Sequence, residues 1–474
     1  MKKTLGIIKR ENIKKYEGML YFLIIIICWI PTLLAFYPIM CNYDGIWQVR
    51  AYLSGVVSTR HPIIHTYLLS NFYLFGLRYL KSPALGMLMF SIFQMTINAG
   101  IFAYSVRIIE KETEKKWLRN IVLMFYAIFP FNPIFSISTT KDVLFAGITL
   151  LFIIKVYQAL NGKNNLKDYI FLILIGVLML LFRNNAMYAI IFSIPFIVLI
   201  MRKDKEKLAK IILITIIIVF GYKLINIGLI ILTNAGIDSN QEKLSVFSQA
   251  TAKIVKENMD DLTEEEKQKI TFFFKDYKKM GDVYESNIAD NTKAMSNCKN
   301  IDNNKVEFIR LMIHFFRKYP RQFTDSFLNT IRGYWYICDN SFNQIDHENQ
   351  PDKKGILELT VENVMPGKFH VEEHSYIPWL QNSYRAMFCK NYYRNIPIIY
   401  VIFQPATYFY IVLAYLLYSI YVRRKDLLII AVYLFSYFVT CFLGPVALVR
   451  YIYAIIVSIP FIIGILLKQD NRRG

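Results

Sequence analysis

Eight polar residues, scattered from the first tenth of a 474-residue chain to its last, have the types that one reaction needs. Asp44 lies in the run YDGIWQ, Arg60, His61 and His65 in RHPIIH, Lys141 and Asp142 in TTKDV, Arg183 in FRNN and Arg450 in LVRY. A carboxylate among fixed cations in a partly dry cleft can deprotonate an acceptor hydroxyl while the cations hold a phosphate leaving group. Glycosyl transfer is chemistry of that kind, with Asp44 as the base and the other seven as substrate contacts.

Each residue also has a plainer role open to it. Asp44 suits the cap of a helix beginning near Ile46. His61 and His65 stand at i, i+4, on one helical face, but HPIIH holds no Glu between them, so no metal site is expected. Lys141 and Asp142 suit a charged helix start, and Arg183 and Arg450 suit stems that snorkel to lipid headgroups. The six cysteines form no CxxC, and no cofactor is expected.

The elements that must bring these residues together are membrane helices. The chain is 55% hydrophobic and 16% aromatic, and apolar runs of span length recur along most of it. This excludes a secreted domain, a cytosolic enzyme and a fibrous protein. The net charge of +20 is explained by basic cytoplasmic loops rather than by nucleic acid, and no nucleic-acid partner is expected. About ten spans are predicted, near 19–39, 83–106, 118–137, 143–160, 168–182, 186–201, 209–232, 396–421, 427–444 and 451–467. The first is read as a retained anchor.

With both termini cytoplasmic, the basic runs 2–15, 107–119, 202–210 and 423–425 all fall inside, the positive-inside pattern. On this map Tyr43, Gln48, Asn184 and Asn185 join the eight candidates on the outer face. Outside the stretch 233–395, only two acids face out, Asp44 and Asp142. Lys223, inside the seventh span, is expected to face the bundle interior.

The stretch 61–76, HPIIHTYLLSNFYLFG, reads as a helix lying along the outer interface, because counting it as a span would turn the basic 107–119 loop outward. The chain thus divides into a transmembrane module over 1–232, an inserted extracytoplasmic domain over 233–395 and a three-helix membrane segment over 396–474. The domain is near neutral and mainly helical. Thr263 with Glu266 forms a capping box, and the stripe over 305–319 ends at Pro320; the stretch 355–364 is too mixed to assign. The GYWY string at 333–336 reads as an interfacial or core patch, with sugar stacking as its alternative. The fold class is an all-α polytopic membrane protein.

In YDGIWQ, in RHPIIH opening a helix that runs to FG and LRYL, and in TTKDVLFAG, the chain resembles the GT-C glycosyltransferase superfamily, over roughly its first 200 residues. LSVFSQATAKIV, KYPRQFTDSFLNTIRGYWY and GPVALVRY resemble, over nearly the whole chain, an uncharacterised bacterial family of polytopic membrane proteins. The GT-C resemblance implies a polyprenyl-phosphate-linked sugar as donor, Asp44 as catalytic base and basic outer residues that grip the lipid phosphate. An acidic pair is common at the first-loop position in that superfamily, whereas here Gly45 follows Asp44. Many relatives also carry the soluble domain at the C-terminus.

The function expected is transfer of a sugar from the polyprenyl phosphate to an envelope glycan or lipid acceptor, at the outer face of a bacterial cell membrane. A transporter or flippase of lipid-linked glycans, or a non-catalytic envelope-assembly protein, is the alternative. A transporter favours ionisable residues along a midplane path and internal repeats, and neither is visible.

Overall fold

The computed structural model describes residues 2–238, 240–338, 371–388 and 392–468, and side chains from Glu17 onward except those of Tyr43 and Asn240. The stretch 355–364 lies outside them. The described residues are helical throughout, with isolated backbone bridges in place of strands.

The helices are α1 (Lys2–Ala35), α2 (Tyr43–Leu53), α3 (Ile63–Tyr79), α4 (Pro83–Thr113), α5 (Lys116–Ile128), α6 (Phe131–Ser136), α7 (Asp142–Asn161), α8 (Leu166–Phe182), α9 (Asn185–Met201) and α10 (Lys205–Thr233). A run of shorter helices follows: α11 (Ser245–Asn258), α12 (Glu264–Phe274), α13 (Tyr277–Asp282), α14 (Asp290–Ala294), α15 (Cys298–Asn303), α16 (Lys305–Lys318), α17 (Pro320–Thr330), α18 (Arg332–Trp335) and α19 (Pro378–Phe388). The chain closes with α20 (Pro397–Phe403), α21 (Pro405–Tyr421), α22 (Lys425–Cys441) and α23 (Val449–Leu466).

Five helices, α1, α4, α7, α10 and α23, are long and apolar enough to cross a membrane, and the bent pair α20 and α21 makes a sixth if counted as one span. Most of the expected spans lie on single helices, but two are broken. The third divides at Phe129 and Pro130 into α5 and α6, and the eighth turns by 71° between α20 and α21. Proline explains both breaks, since Pro130 and Pro405 lack the N–H that a continuous helix needs.

The main core is built on α4, α5, α7, α22 and α23, with Phe102, Tyr126, Leu150, Tyr437 and Ile455 among its buried members. At the crossing of α3 and α4 the backbones touch: a Cβ on Gly86 would stand 2.2 Å from the Phe72 carbonyl oxygen. Only glycine permits that approach. Helix α10 is peripheral, with Leu213, Phe220, Leu224 and Leu232 exposed along it. Lys223 corrects the expectation made for it. It is exposed on α10 beside Tyr222 rather than turned into the bundle, because α10 packs through the face of Ile218 and Tyr222.

Helices α11 to α17 enclose a second core, from Ile254 and Phe273 to Phe308 and Phe315. The capping box is present, with Thr263 and Glu266 each accepting from the other's backbone N–H. Pro320 ends α16 and opens α17, where its missing N–H costs nothing. Tyr334 of the GYWY string is a core residue: it packs on Phe438, and its hydroxyl accepts from the Leu448 N–H at 3.1 Å. The segment 283–289 meets the other end of the same loop, where Ala289 N–H donates to the Pro445 carbonyl at 2.8 Å. The helical insert is thus fastened to the loop that leads into α23.

Candidate functional site

The site begins with a backbone interlock. Residues 37–42 run beside 137–140: Met40 N–H donates to Ile137 O at 2.9 Å, and Thr139 N–H donates to Met40 O at 3.0 Å. Asn42 and Thr139 then lock by side chain. Asn42 N–H donates to Thr139 Oγ1, whose hydroxyl donates to Asn42 Oδ1, both at 3.0 Å, and the same Oδ1 accepts from Gly45 N–H at 2.9 Å. Asn42, not Asp44, is therefore the cap of α2, and the helix starts at Tyr43 rather than near Ile46. With its capping role taken by a neighbour, Asp44 in the first turn is left to other partners.

Gly45 explains the missing second acid. A Cβ there would stand 2.2 Å from Thr139 Oγ1 and 2.5 Å from Thr139 Cβ, so no side chain fits beside Asp44. The close approach sets Asp44 next to the start of α7. Lys141 Nζ lies 3.3 Å from Asp44 Oδ2, and Arg450 Nη1, from the start of α23, lies 2.7 Å from the same oxygen. Arg450 Nη1 is also 3.6 Å from Asp142 Oδ2.

Asp142 is paired with Arg183, which follows α8, and accepts from Thr140 Oγ1 at 3.0 Å. Tyr451 joins the two arginines, with the guanidinium carbons of Arg183 and Arg450 each 4.8 Å from its ring centroid. The two carboxylates differ in access. The Asp142 side chain is 1% exposed and Asp44 23%. Asp142 and Arg183 form the buried floor; Asp44 is the more open of the two carboxylates.

Burial works against charge on Asp44, yet Lys141 and Arg450 overcome it and hold its carboxyl well below the usual range. Asp44 is ionised at neutral pH. Burial and the neighbouring Lys141 push His61 down to about 4, so its ring is neutral and Nδ1 accepts from Lys141 Nζ at 3.4 Å. Burial likewise pushes His65 down to about 3, and its Nδ1 donates to Gln48 Oε1 at 2.6 Å. Only His65 lies on α3; His61 precedes the cap residue Pro62, so the two do not stand on one helical face as expected and they serve different partners. Among the described residues no group of three His, Cys, Asp or Glu is placed to hold a metal ion.

Six of the eight candidates thus meet in one cluster: Asp44, His61, Lys141, Asp142, Arg183 and Arg450. Two do not. Arg60 is exposed and lies 3.6 Å from Glu242, and His65 is fully buried under the site. Arg60 is drawn off because the chain after α10 returns alongside it, with Thr59 N–H bonded to Gly236 O. Asn184 is likewise engaged elsewhere, accepting from the Tyr222 hydroxyl at 2.9 Å. The Tyr43 side chain lies outside the described residues. Sequence reasoning missed Asn42, Thr139, Thr140 and Tyr451. The Asn-x-x-Gly spacing of Asn42 and Gly45 was the available signal for the first, and the aromatic next to Arg450 for the last.

A family model described as a family of unknown function (DUF6020) matches residues 53–474. The chain belongs to the DUF6020 family. No curated protein matches it, and no solved structure does. The stretch shared with DUF6020 contains His61, Lys141, Asp142, Arg183 and Arg450, while Asp44 lies before it. The family description assigns no chemistry, so any role for the cluster rests on its geometry.

Proposed function

We propose that this DUF6020 protein is a membrane glycosyltransferase of the GT-C type, which moves a sugar from a polyprenyl-phosphate donor to an envelope glycan or lipid acceptor. The observation that carries this reading is the sharing of one Asp44 oxygen by Lys141 and Arg450, at 3.3 and 2.7 Å, in a partly open position over a buried ion pair. Cations that hold a carboxylate in the resting protein are placed to hold a phosphate in the complex. Drawn toward the phosphate, they release Asp44, whose basicity rises as its neighbours turn away. The acceptor hydroxyl then gives its proton to Asp44 as its oxygen attacks the anomeric carbon, and the phosphate leaves with the bonding electrons, held by Lys141 and Arg450. Arg183 and Asp142 keep the floor rigid.

In the same proposal, about ten helical spans cross a bacterial cell membrane, with α5–α6 and α20–α21 as broken spans and α8, α9 and α22 as short ones. Both termini face the cytoplasm. Helix α3 lies at the outer interface, and the inserted domain over 233–395 sits outside the membrane and shapes the acceptor site.

The experiment is transfer from a panel of radiolabelled polyprenyl-phosphate sugars by purified full-length protein in liposomes. Sugar incorporation into an extracted envelope acceptor, abolished by Asp44→Ala and Asp44→Asn, is expected. Transfer that survives both substitutions overturns the mechanism, and translocation of the donor without transfer favours a flippase.

A further inference from the structure

At the end of the bundle opposite Asp44, a cavity of about 490 Å³ opens between α7, α8, α9, α10 and α22. Its depth is lined by Ile153, Leu172, Ile190, Ile214, Ile430 and Tyr433. The polar groups within it are already satisfied. Ser193 Oγ donates to Ala189 O, Thr215 Oγ1 to Ile211 O and the Tyr433 hydroxyl to Met179 Sδ. Each of these hydroxyls has its proton already engaged, so the depth of the cavity offers an occupant chiefly hydrocarbon contact. Its volume lies in the range of small-molecule sites, and in a protein solvated by lipid such a void forfeits dispersion contacts unless a chain fills it.

The mouth has the opposite character. Asp204, Glu206, Lys207 and Lys210 line it, and they belong to a run, Arg202 to Lys210, in which Arg202, Lys203 and Lys205 add further positive charge. Lys207 and Lys210 are paired locally, to the helix cap Asp204 at 3.7 Å and to Glu206 at 2.7 Å, and are mostly exposed. Such surface pairs are weak and yield to a better anion. An apolar shaft under a basic rim matches one chemistry, an acyl chain below a phosphate.

We propose that this cavity binds an anionic phospholipid of the surrounding membrane, with one acyl chain between α9, α10 and α22 and the phosphate on Lys207 and Lys210. The lipid wedges the peripheral α10 against α8 and α9. Helix α7, 20 residues long, separates this mouth from Asp142 by about 30 Å at the rise of an α-helix. The site is distinct from the Asp44 cluster, and the proposal does not rest on the glycosyl-transfer reading.

The test is native mass spectrometry of the delipidated full-length protein titrated with dioleoyl phosphatidylglycerol or dioleoyl phosphatidylcholine. The first phosphatidylglycerol is expected to bind at least about tenfold more tightly than phosphatidylcholine. Lys207→Gln with Lys210→Gln, both at exposed positions that do not carry the fold, should remove that preference. Ser193→Phe, which fills the shaft, should weaken both lipids about tenfold, while Ser193→Ala should leave them unchanged. Equal binding of the two lipids to the unaltered protein overturns the proposal, as does a lysine double variant that keeps the preference. So does a folded Ser193→Phe protein that binds as the parent does.

Discussion

Asp44 and Arg450 stand 406 positions apart in the chain and 2.7 Å apart in the fold. Their contact joins the first turn of α2 to the first turn of α23, and Arg450 also reaches Asp142 on α7, so one guanidinium ties together three elements. An arginine suits this because its planar fork offers several donors in fixed directions. The contact separates two carboxylates that look alike in sequence: one is partly open and shared by two cations, the other is buried under an arginine.

That difference predicts a split between activity and stability. Asp44→Asn should lower transfer by about 100-fold or more, the scale of a lost general base, while destabilising the fold less than the loss of the sealed carboxylate does, because Asp44 is 23% exposed and Asp142 1%. Asp142→Asn removes the partner of the buried Arg183 and should cost on the order of 3–5 kcal/mol of stability. Thermal unfolding in detergent, measured beside transfer, checks both. Equal destabilisation by the two variants would contradict the division into a reactive carboxylate and a floor.

Gly45→Ala places a methyl group where Thr139 already stands, and both neighbouring segments are locked by hydrogen bonds. The variant should therefore shift α2 away from 137–140 and separate Asp44 from Lys141, at a cost of about 1–3 kcal/mol from overpacking. Thr139→Gly removes the facing side chain, so Gly45→Ala should be better tolerated in that background. A double-variant cycle on the unfolding temperature reads the coupling; strictly additive effects would show that the contact does not govern the approach.

His61 and His65 titrate at about 4 and about 3 in the folded protein against 6.5 when unfolded. The unfolded chain therefore takes up protons first as pH falls. Stability is complete above about pH 6.5 and declines below it. At pH 5 each histidine should have withdrawn on the order of 2 kcal/mol, since each pKa unit is worth about 1.4 kcal/mol. Unfolding temperatures at pH 7.5 and pH 5 should differ more for the parent than for a His61→Asn, His65→Asn protein. An unchanged difference in that variant would be fatal to the assignment.

Glu266 makes a parallel case in the inserted helices. Burial opposes its charge, but hydrogen bonds from His314, the Thr263 backbone and Lys318 prevail and hold its carboxyl at about 2. A depressed carboxyl contributes stability that is present above its unfolded value of about 4.5 and is lost as pH falls toward 2. Glu266→Gln should cost about 1–3 kcal/mol at pH 7. Pulse hydrogen exchange of α12 and α16 after incubation at pH 7 or pH 3 should show acid opening in the parent and a smaller pH effect in the variant. Protection that ignores both the substitution and the acid would refute the role given to this network.

Much of the fold was legible from the chain because its solvent is lipid. Long apolar runs, prolines and basic loops act locally, so the helices containing Trp29, Phe102, Leu150 and Ile455 could be placed from the residues alone. Breaks at Pro130 and Pro405 were harder to foresee, since proline is tolerated inside some spans, and Lys223 was misjudged because its side depends on which face of α10 packs. For the site, residue type marked Asp44, Lys141, Asp142, Arg183 and Arg450 as candidates, but type says nothing of distance.

By itself, then, the amino-acid order determined the helical class, the apolar segments and the short roster of ionisable residues, for these depend on hydropathy and propensity over a few turns. Only the tertiary structure decided that Asn42 caps α2, that Gly45 must be bare against Thr139, that Arg60 leaves for Glu242, and that Asp44 is partly open whereas Asp142 is sealed. Those outcomes come from packing between segments far apart in the chain, where a side chain's partner is set by geometry that no local pattern encodes.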